Sequence, residues 1–271
     1  MANGCTISNG MVCGIGLAKE WLPNFQIIEY LRAYLSGRMG FSALNSLLII
    51  SGAFSLFKRE AVIAAGGFKI HTVGEDMELV VRMHRTFREK GMKQTYKMSF
   101  IPDPVCWTEV PAKLSQLALQ RSRWHRGLGE SLIRHGKMLL NPQFGRIGLL
   151  AMPYFFFVEF LAPIFEFFGY IFLLPLIFTG STHIFFPATF FVLVVFYGIL
   201  LSLAAVLLEE FTLHRYPKIK SFFKLSAAAF LESFGYHQLT VFWRLKGFWD
   251  LLKGERSWGI LERRGLDKNR R

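Results

Sequence analysis

Two adjacent carboxylates, Glu75 and Asp76, follow Gly74 and open a stretch with helical apolar spacing. A carboxylate of this kind can take the proton from an attacking hydroxyl. It is equally at home in the first turn of a helix, where unpaired N–H groups and the dipole favour negative charge. Both uses stand open for the pair taken alone. A second constellation lies further along, where Gln120, Arg123, Trp124 and Gly127 fall at i, i+3, i+4 and i+7 and so share one helix face. An amide, a guanidinium, an indole and the space left by a glycine suit a polar ligand with a charged end and a flat sugar or base. The competing use is an amphipathic juxtamembrane helix whose Arg121, Arg123, Arg126 and Arg134 meet anionic lipid headgroups. Ser51-Gly52 ends a compact apolar run; a glycine in a strand pattern marks either a bulge or a place where a ligand or another backbone comes close.

The elements that must position these groups read as follows. Cys5 to Val12 and Gln94 to Ile101 have strand patterns, and Leu47-Leu48-Ile49-Ile50 reads as a short buried strand. Helical spacing predicts helices over Trp21 to Leu35, Lys58 to Ala65, Gly74 to Glu89 with Leu79, Val80 and Met83 inward, and Lys113 to His135. Gly91 is the stop signal after Glu89.

The second half has a different composition. Of the 32 Lys and Arg, 18 lie in 1–140, none in 147–210 and 13 in 211–271, in a chain with 52% hydrophobic residues and 29 Phe. The run 185–208 carries no charge and, at about 1.5 Å per residue, reaches across a hydrocarbon core of about 30 Å. The run 149–178 has the length as well, but holds Glu159, Glu166, Pro153, Pro163 and Pro175, so a kinked span, or an interfacial turn followed by a span, is expected there. Carboxylates at that depth are costly unless they face protein or water. Gly180 to His183 would form the turn of a hairpin. A third segment, 221–245, mixes phenylalanines with Lys224, Glu232, His237 and Arg244. Because Arg215, Lys218 and Lys220 before it and Arg263 to Arg271 after it are both basic, the positive-inside tendency keeps both ends on the cytoplasmic side. The segment then lies at the interface or within a bundle; a third span with the tail outside is the alternative.

Cys5, Cys13 and Cys106 make neither a disulfide framework nor a paired zinc spacing. Met1 to Gly16 lacks the basic start and long apolar core of a signal peptide. The net charge of +13 comes with no nucleic-acid recognition motif, and the basic flanks of the spans account for much of it. No nucleic-acid partner is expected.

Taken in order, Ser51-Gly52, Gly74-Glu75-Asp76, Gln120-x-x-Arg123-Trp124, the apolar runs and Ser257-Trp258-Gly259 resemble the membrane-embedded, processive family 2 glycosyltransferases, which include cellulose, hyaluronan and poly-N-acetylglucosamine synthases. The resemblance implies inverting transfer from a nucleotide-sugar donor, expected to be a UDP-sugar, to a growing glycan or lipid-linked acceptor at the cytoplasmic membrane face. It implies Asp76 as general base with Glu75 as its supporting neighbour. It places Arg123 on the donor diphosphate, Trp124 under the acceptor ring with Gln120 beside it, Ser51-Gly52 in the binding region, and Trp258 against the nucleotide or capping the site from the tail.

The implied fold is α/β, a partial glycosyltransferase-A-like domain with an incomplete nucleotide-binding half, followed by an α-helical transmembrane region. The expected organisation is a C-terminal part of the cytoplasmic glycosyltransferase domain over 1–140, a membrane region over 141–246 with firm spans at about 149–178 and 185–208 and a further segment at about 221–245, and a basic cytoplasmic tail over 247–271. The family's D-x-D metal motif has no counterpart: the acidic residues of 1–74 are Glu20, Glu29 and Glu60, with no Asp. No metal ligand is therefore assigned in this chain. The Mg2+ or Mn2+ of a complete enzyme would be held by a missing N-terminal half or a complementing subunit, and the chain alone is expected to be inactive. An integral protein of the cell's inner or plasma membrane, in contact with its lipids, is the implied location. The rival from a different class is a non-enzymatic membrane subunit with a lipid-binding basic helix.

Overall fold

A computed structural model describes residues 3–5, 21–50, 52, 55–92, 96–101, 110–179, 185–213 and 219–255. Three short strands, β1 (Asn3–Cys5), β2 (Ser55–Leu56) and β3 (Ser99–Ile101), form one sheet in the order β2-β1-β3. In it β1 runs antiparallel to β2 and parallel to β3, with Asn3 opposite Leu56 and Ser99. The rest of the described chain is mainly helical, so the α/β expectation has this small sheet as its only strand component among the described residues. The longer strand pattern expected over Cys5 to Val12 lies outside the described residues beyond Cys5, and that over Gln94 to Ile101 contracts to β3.

The run Leu47 to Ile50 is buried as expected but pairs with no strand among the described residues. It threads between two apolar clusters, Leu47 and Ile50 facing one and Leu48 the other. The Leu47 carbonyl takes its hydrogen bond from a side chain, His84 Nε2 at 2.8 Å. Burial came from packing on both sides and not from a ladder, a distinction that hydrophobicity alone does not carry.

Helix α1 (Trp21–Tyr30) continues through a π-helical segment (Leu31–Arg38) into α2 (Met39–Ala43), and α3 covers Arg59–Ala64. Central to the first half is α4 (Glu75–Glu89). Glu75, Asp76 and Glu78 in its first turn and Arg88 in its last complement the dipole, and Gly91, with φ 75°, turns the chain away. Leu79, Val80, Met83 and Phe87 pack with Tyr30, Leu47, Ile50 and Phe100, while Met77 and Val81 on the other side pack with Leu132, Phe144, Ile147 and Phe155. One helix thus joins the sheet-side core to the core that leads into the first apolar run.

Helix α5 (Leu114–Arg134) follows, then two 3-10 turns (Gly136–Met138 and Pro142–Phe144) and two π-helical segments (Ile147–Ala151 and Tyr154–Phe160), the second beginning just after Pro153. Helices α6 (Ala162–Thr179), α7 (Phe185–Leu213), α8 (Ile219–Leu231) and α9 (Tyr236–Leu252) complete the described chain. Two stretches, Ile147–Leu173 and Phe191–Phe211, are long and apolar enough to cross a membrane. The turn expected at Gly180 to His183 lies outside the described residues. The third segment divides at Gly235, whose φ of 97° leaves helices of 13 and 17 residues, each shorter than the roughly 20 residues a span needs.

Helix α9 lies along both α5 and the first apolar stretch. Gly247 lets it seat against the Ser122 backbone, and Ser122 Oγ donates to Asp250 Oδ2 at 3.1 Å. The two carboxylates of the first stretch are met from the same helix: Glu166 Oε2 stands 2.7 Å from His237 Nε2 and Glu159 Oε2 3.3 Å from Arg244 Nη2. Pairing of this kind offsets the cost of carboxylates in an apolar stretch. Near the second stretch, Ile27, Ile28 and Leu31 pack with Ala205, Val206, Leu225 and Ala228, and Arg32 pairs with Glu232 beside Ser202.

Candidate functional site

The first turn of α4 sits between two glycine contacts. Asp76 Oδ1 accepts from the Met77 N–H at 2.8 Å, which uses one oxygen to close the turn. The other, Oδ2, faces Gly52, where a Cβ would come within 2.9 Å of it. Gly52 is thus a place of close approach and not only a bulge: any side chain there would strike the carboxylate. Glu75 and Asp76 are both half-buried. Immediately before them, Gly74 abuts α5, a Cβ on Gly127 meeting Gly74 N at 3.1 Å and Cα at 3.2 Å. The space expected at Gly127 for a ligand is therefore filled by the Gly74 backbone.

Gly127 belongs to the same helix face as Gln120, Arg123 and Trp124, so this contact turns that face toward the Glu75–Asp76 turn. Gln120 and Arg123 are half-buried and Trp124 is 39% exposed. The indole packs beside Tyr30 of α1 at 6.2 Å between ring centroids. Arg121, one residue from Gln120, lies inside the fold with its guanidinium 4.5 Å from the Trp124 ring centroid. Burial disfavours its charge, but the neighbouring Glu29 carboxylate raises its pKa above the ordinary value. Arg126 is buried as well, so α5 does not present a continuous basic stripe to lipid.

Two anchors were not singled out from the sequence. Glu130 Oε2 accepts from the Val73 N–H at 3.0 Å while Oε1 accepts from Arg134 Nη2 at 2.8 Å, tying α5 to the chain just before Gly74. Glu78, fully buried, accepts from Arg82 Nε at 3.0 Å and lies 3.3 Å from His135 Nε2. Burial by itself would raise the Glu78 pKa, but the hydrogen bonds and charges of His135 and Arg82 hold it down at about 2. Arg82 in turn donates to the carbonyls of Ala65 and Gly67, fixing the loop that leads to the site. The i, i+4 spacing of Glu78 and Arg82 was a visible signal; His135 and Val73 had none, because their partners are 57 residues away.

Ser51 and Trp258 lie outside the described residues. Among the described residues no group of three or more His, Cys, Asp or Glu side chains could hold a metal ion. The described side chains therefore do not fit the divalent cation that the resemblance implies. A surface cavity of about 310 Å3 lies elsewhere, between α2 and β3, lined by Met39, Ser42, Asn45, Lys97 and Phe100 among others; none of the predicted site residues lines it.

Comparison with known proteins adds three findings. The family model described as "Glycosyl transferase family group 2" matches residues 6–208. Poly-beta-1,6-N-acetyl-D-glucosamine synthase of Staphylococcus aureus (strain COL) is 30% identical over 113 residues, 42% of this chain and 26% of that protein. The protein of the same name from Staphylococcus epidermidis (strain ATCC 35984) is 29% identical over the same extent. The match therefore spans about a quarter of the length of these curated relatives. No solved structure matches the chain.

Proposed function

The chain belongs to glycosyl transferase family group 2, and on that premise we propose that it carries the acceptor side of an inverting sugar transfer, run at the cytoplasmic face of a membrane that its two apolar stretches cross. The supporting observation is the Gly74–Gly127 contact, which sets the carboxylate turn of α4 against the face of α5 that bears Arg123 and Trp124.

In this reading the acceptor hydroxyl oxygen bonds to the anomeric carbon as the bond from that carbon to the donor's phosphate oxygen breaks. The hydroxyl proton passes to Asp76, since a free hydroxyl is too weak an acid to lose it unaided. Glu75 supports Asp76 from the same helical turn. Arg123 binds the diphosphate, whose charge grows as it leaves, through paired charge-assisted hydrogen bonds. Trp124 gives the acceptor ring a flat apolar floor, and Gln120 offers a hydrogen bond at its edge. Gly52 approaches Asp76 closely, and Ser51 and Trp258 are given the binding roles that the resemblance implies. The donor is a nucleotide sugar, with UDP-N-acetylglucosamine the first to test because the relatives' names specify that sugar's polymer.

The test is Asp76→Asn in membranes of cells that make the intact gene product, assayed with labelled UDP-N-acetylglucosamine. Transfer falls by about 10²–10⁴-fold, the range of general-base catalysis, with donor affinity unchanged. Near-normal turnover in that variant would remove Asp76 from the role.

A further inference from the structure

Next to the residues of the Gln120–Trp124 motif lies a buried charge that the proposed chemistry does not use. Arg121 is 3% exposed, although it sits between two members of the motif. Its Nη2 donates to Glu29 Oε2 at 2.6 Å, and the same Glu29 oxygen accepts from the Tyr236 hydroxyl at 2.8 Å. Its Nη1 donates to Gln120 Oε1 at 3.2 Å. The guanidinium also lies 4.5 Å from the Trp124 ring centroid and 5.6 Å from that of Tyr30. Three elements far apart in sequence, α1, α5 and α9, converge on this one side chain.

A buried guanidinium needs a carboxylate to remain stable in that place, and Glu29 with Tyr236 meets the need. What the ion pair does not require is contact with Gln120 and Trp124. Those two contacts are made by a forked, flat cation, and an ammonium in the same place is a point charge that lacks both the fork and the flat surface. The geometry points to Arg121 as a positioning residue: clamped by Glu29 and Tyr236, it fixes the Trp124 ring and the Gln120 amide in the orientation that meets substrate. The inference rests on the reading above that Trp124 and Gln120 face a sugar.

Arg121→Lys separates this role from a purely structural one, because lysine keeps the charge opposite Glu29 and loses the stack and the fork. Full-length chain in detergent or nanodiscs is compared with Arg121→Lys, Glu29→Gln and, as a control, Arg85→Lys on the exposed side of α4. The chain has six tryptophans, so the Trp124 signal is taken as the difference between each protein and the same protein carrying Trp124→Phe. In Arg121→Lys and Glu29→Gln, acrylamide quenching of the Trp124 component rises about two- to fivefold, the population change that loss of a partly exposed cation–π contact brings. Arg85→Lys leaves it unchanged. A Trp124 signal that stays at its parental value in Arg121→Lys, whether or not the unfolding temperature falls, overturns the positioning role and leaves Arg121 a structural ion-pair partner.

A second measurement on the same samples distinguishes the two readings. Titrating a β-1,6-linked N-acetylglucosamine oligosaccharide quenches the Trp124 component, with affinity about two- to fivefold weaker in Arg121→Lys. If the oligosaccharide leaves Trp124 unperturbed in the parent protein while Arg121→Lys still loosens the ring, the acceptor reading of Trp124 fails and the clamp itself stands.

Discussion

The first turn of α4 holds carboxylates treated in opposite ways. Glu78 is fully buried and saturated by Arg82 and His135, whereas Glu75 and Asp76, three and two positions earlier, are half-buried, with Asp76 Oδ2 against the Gly52 backbone. Identical chemistry in one helical turn is therefore split between a carboxylate that holds the fold and two that are only partly enclosed. Saturation lowers the pKa of a carboxylate and occupies its lone pairs. The base proposed at Asp76 has to be spared that, and the absence of a side chain at Gly52 keeps its Oδ2 from being struck.

That contrast can be broken from its structural end first. Glu78→Ala leaves Arg82 and His135 buried without their counter-charge, so unfolding in detergent should show a loss of about 3–5 kcal/mol. Asp76→Asn should cost no more than about 1 kcal/mol in the same measurement, since one turn-closing hydrogen bond is at stake. Equal losses would erase the distinction between the two carboxylates. Gly127→Ala places a methyl 3.1 Å from Gly74 N; separating α4 from α5 should cost about 1–3 kcal/mol and reduce transfer although no proposed site side chain changes.

Acid sharpens the comparison in a graded way. Burial lowers the His84 pKa to about 4, partly opposed by its hydrogen bond to the Leu47 carbonyl, and burial with the Arg244 charge lowers that of His125 to about 3, both from 6.5. The unfolded chain therefore takes up these protons first. Their stabilisation is complete above about pH 6.5 and is lost as pH falls toward 4 and 3. Glu78, about 2 when folded against 4.5, adds a second loss as pH falls from 4.5 to 2. In a titration of unfolding temperature, Glu78→Gln should remove the lower limb and leave the upper one. The smallest effect belongs to the exposed Arg85–Glu89 pair: Arg85→Ala should change stability by less than about 0.5 kcal/mol.

Much of this was legible in advance where the cause is local. The helix over Glu75 to Glu89 and that over Leu114 to Arg134 follow from spacing and from Gly91, and the two apolar stretches from composition. Burial of Leu47 to Ile50 was legible too, but not that His84 would replace a neighbouring strand. Arg121 shows the limit most clearly. By sequence it belongs with Arg123, Arg126 and Arg134 as one of four cations for lipid; in the fold it is buried because Glu29, 92 residues earlier, and Tyr236 lie beside it. No periodicity encodes a partner at that separation. The Gly127 gap misled for the same reason, since what fills it arrives from another helix.

The pairs between α9 and the first apolar stretch have a mechanical consequence. His237 meets Glu166 and Arg244 meets Glu159, so the partners are spaced alike on both helices and run in opposite directions, like two teeth in one rack. Sliding either helix by one turn, about 5.4 Å, would disengage both teeth together, with no matching carboxylate at the next position. Because α9 also grips α5 through Gly247 and Asp250, the height of the Trp124 face above that stretch is set by tooth spacing. Motion of α5 relative to that stretch is therefore favoured as a tilt and not as a slide of α9 along its neighbour.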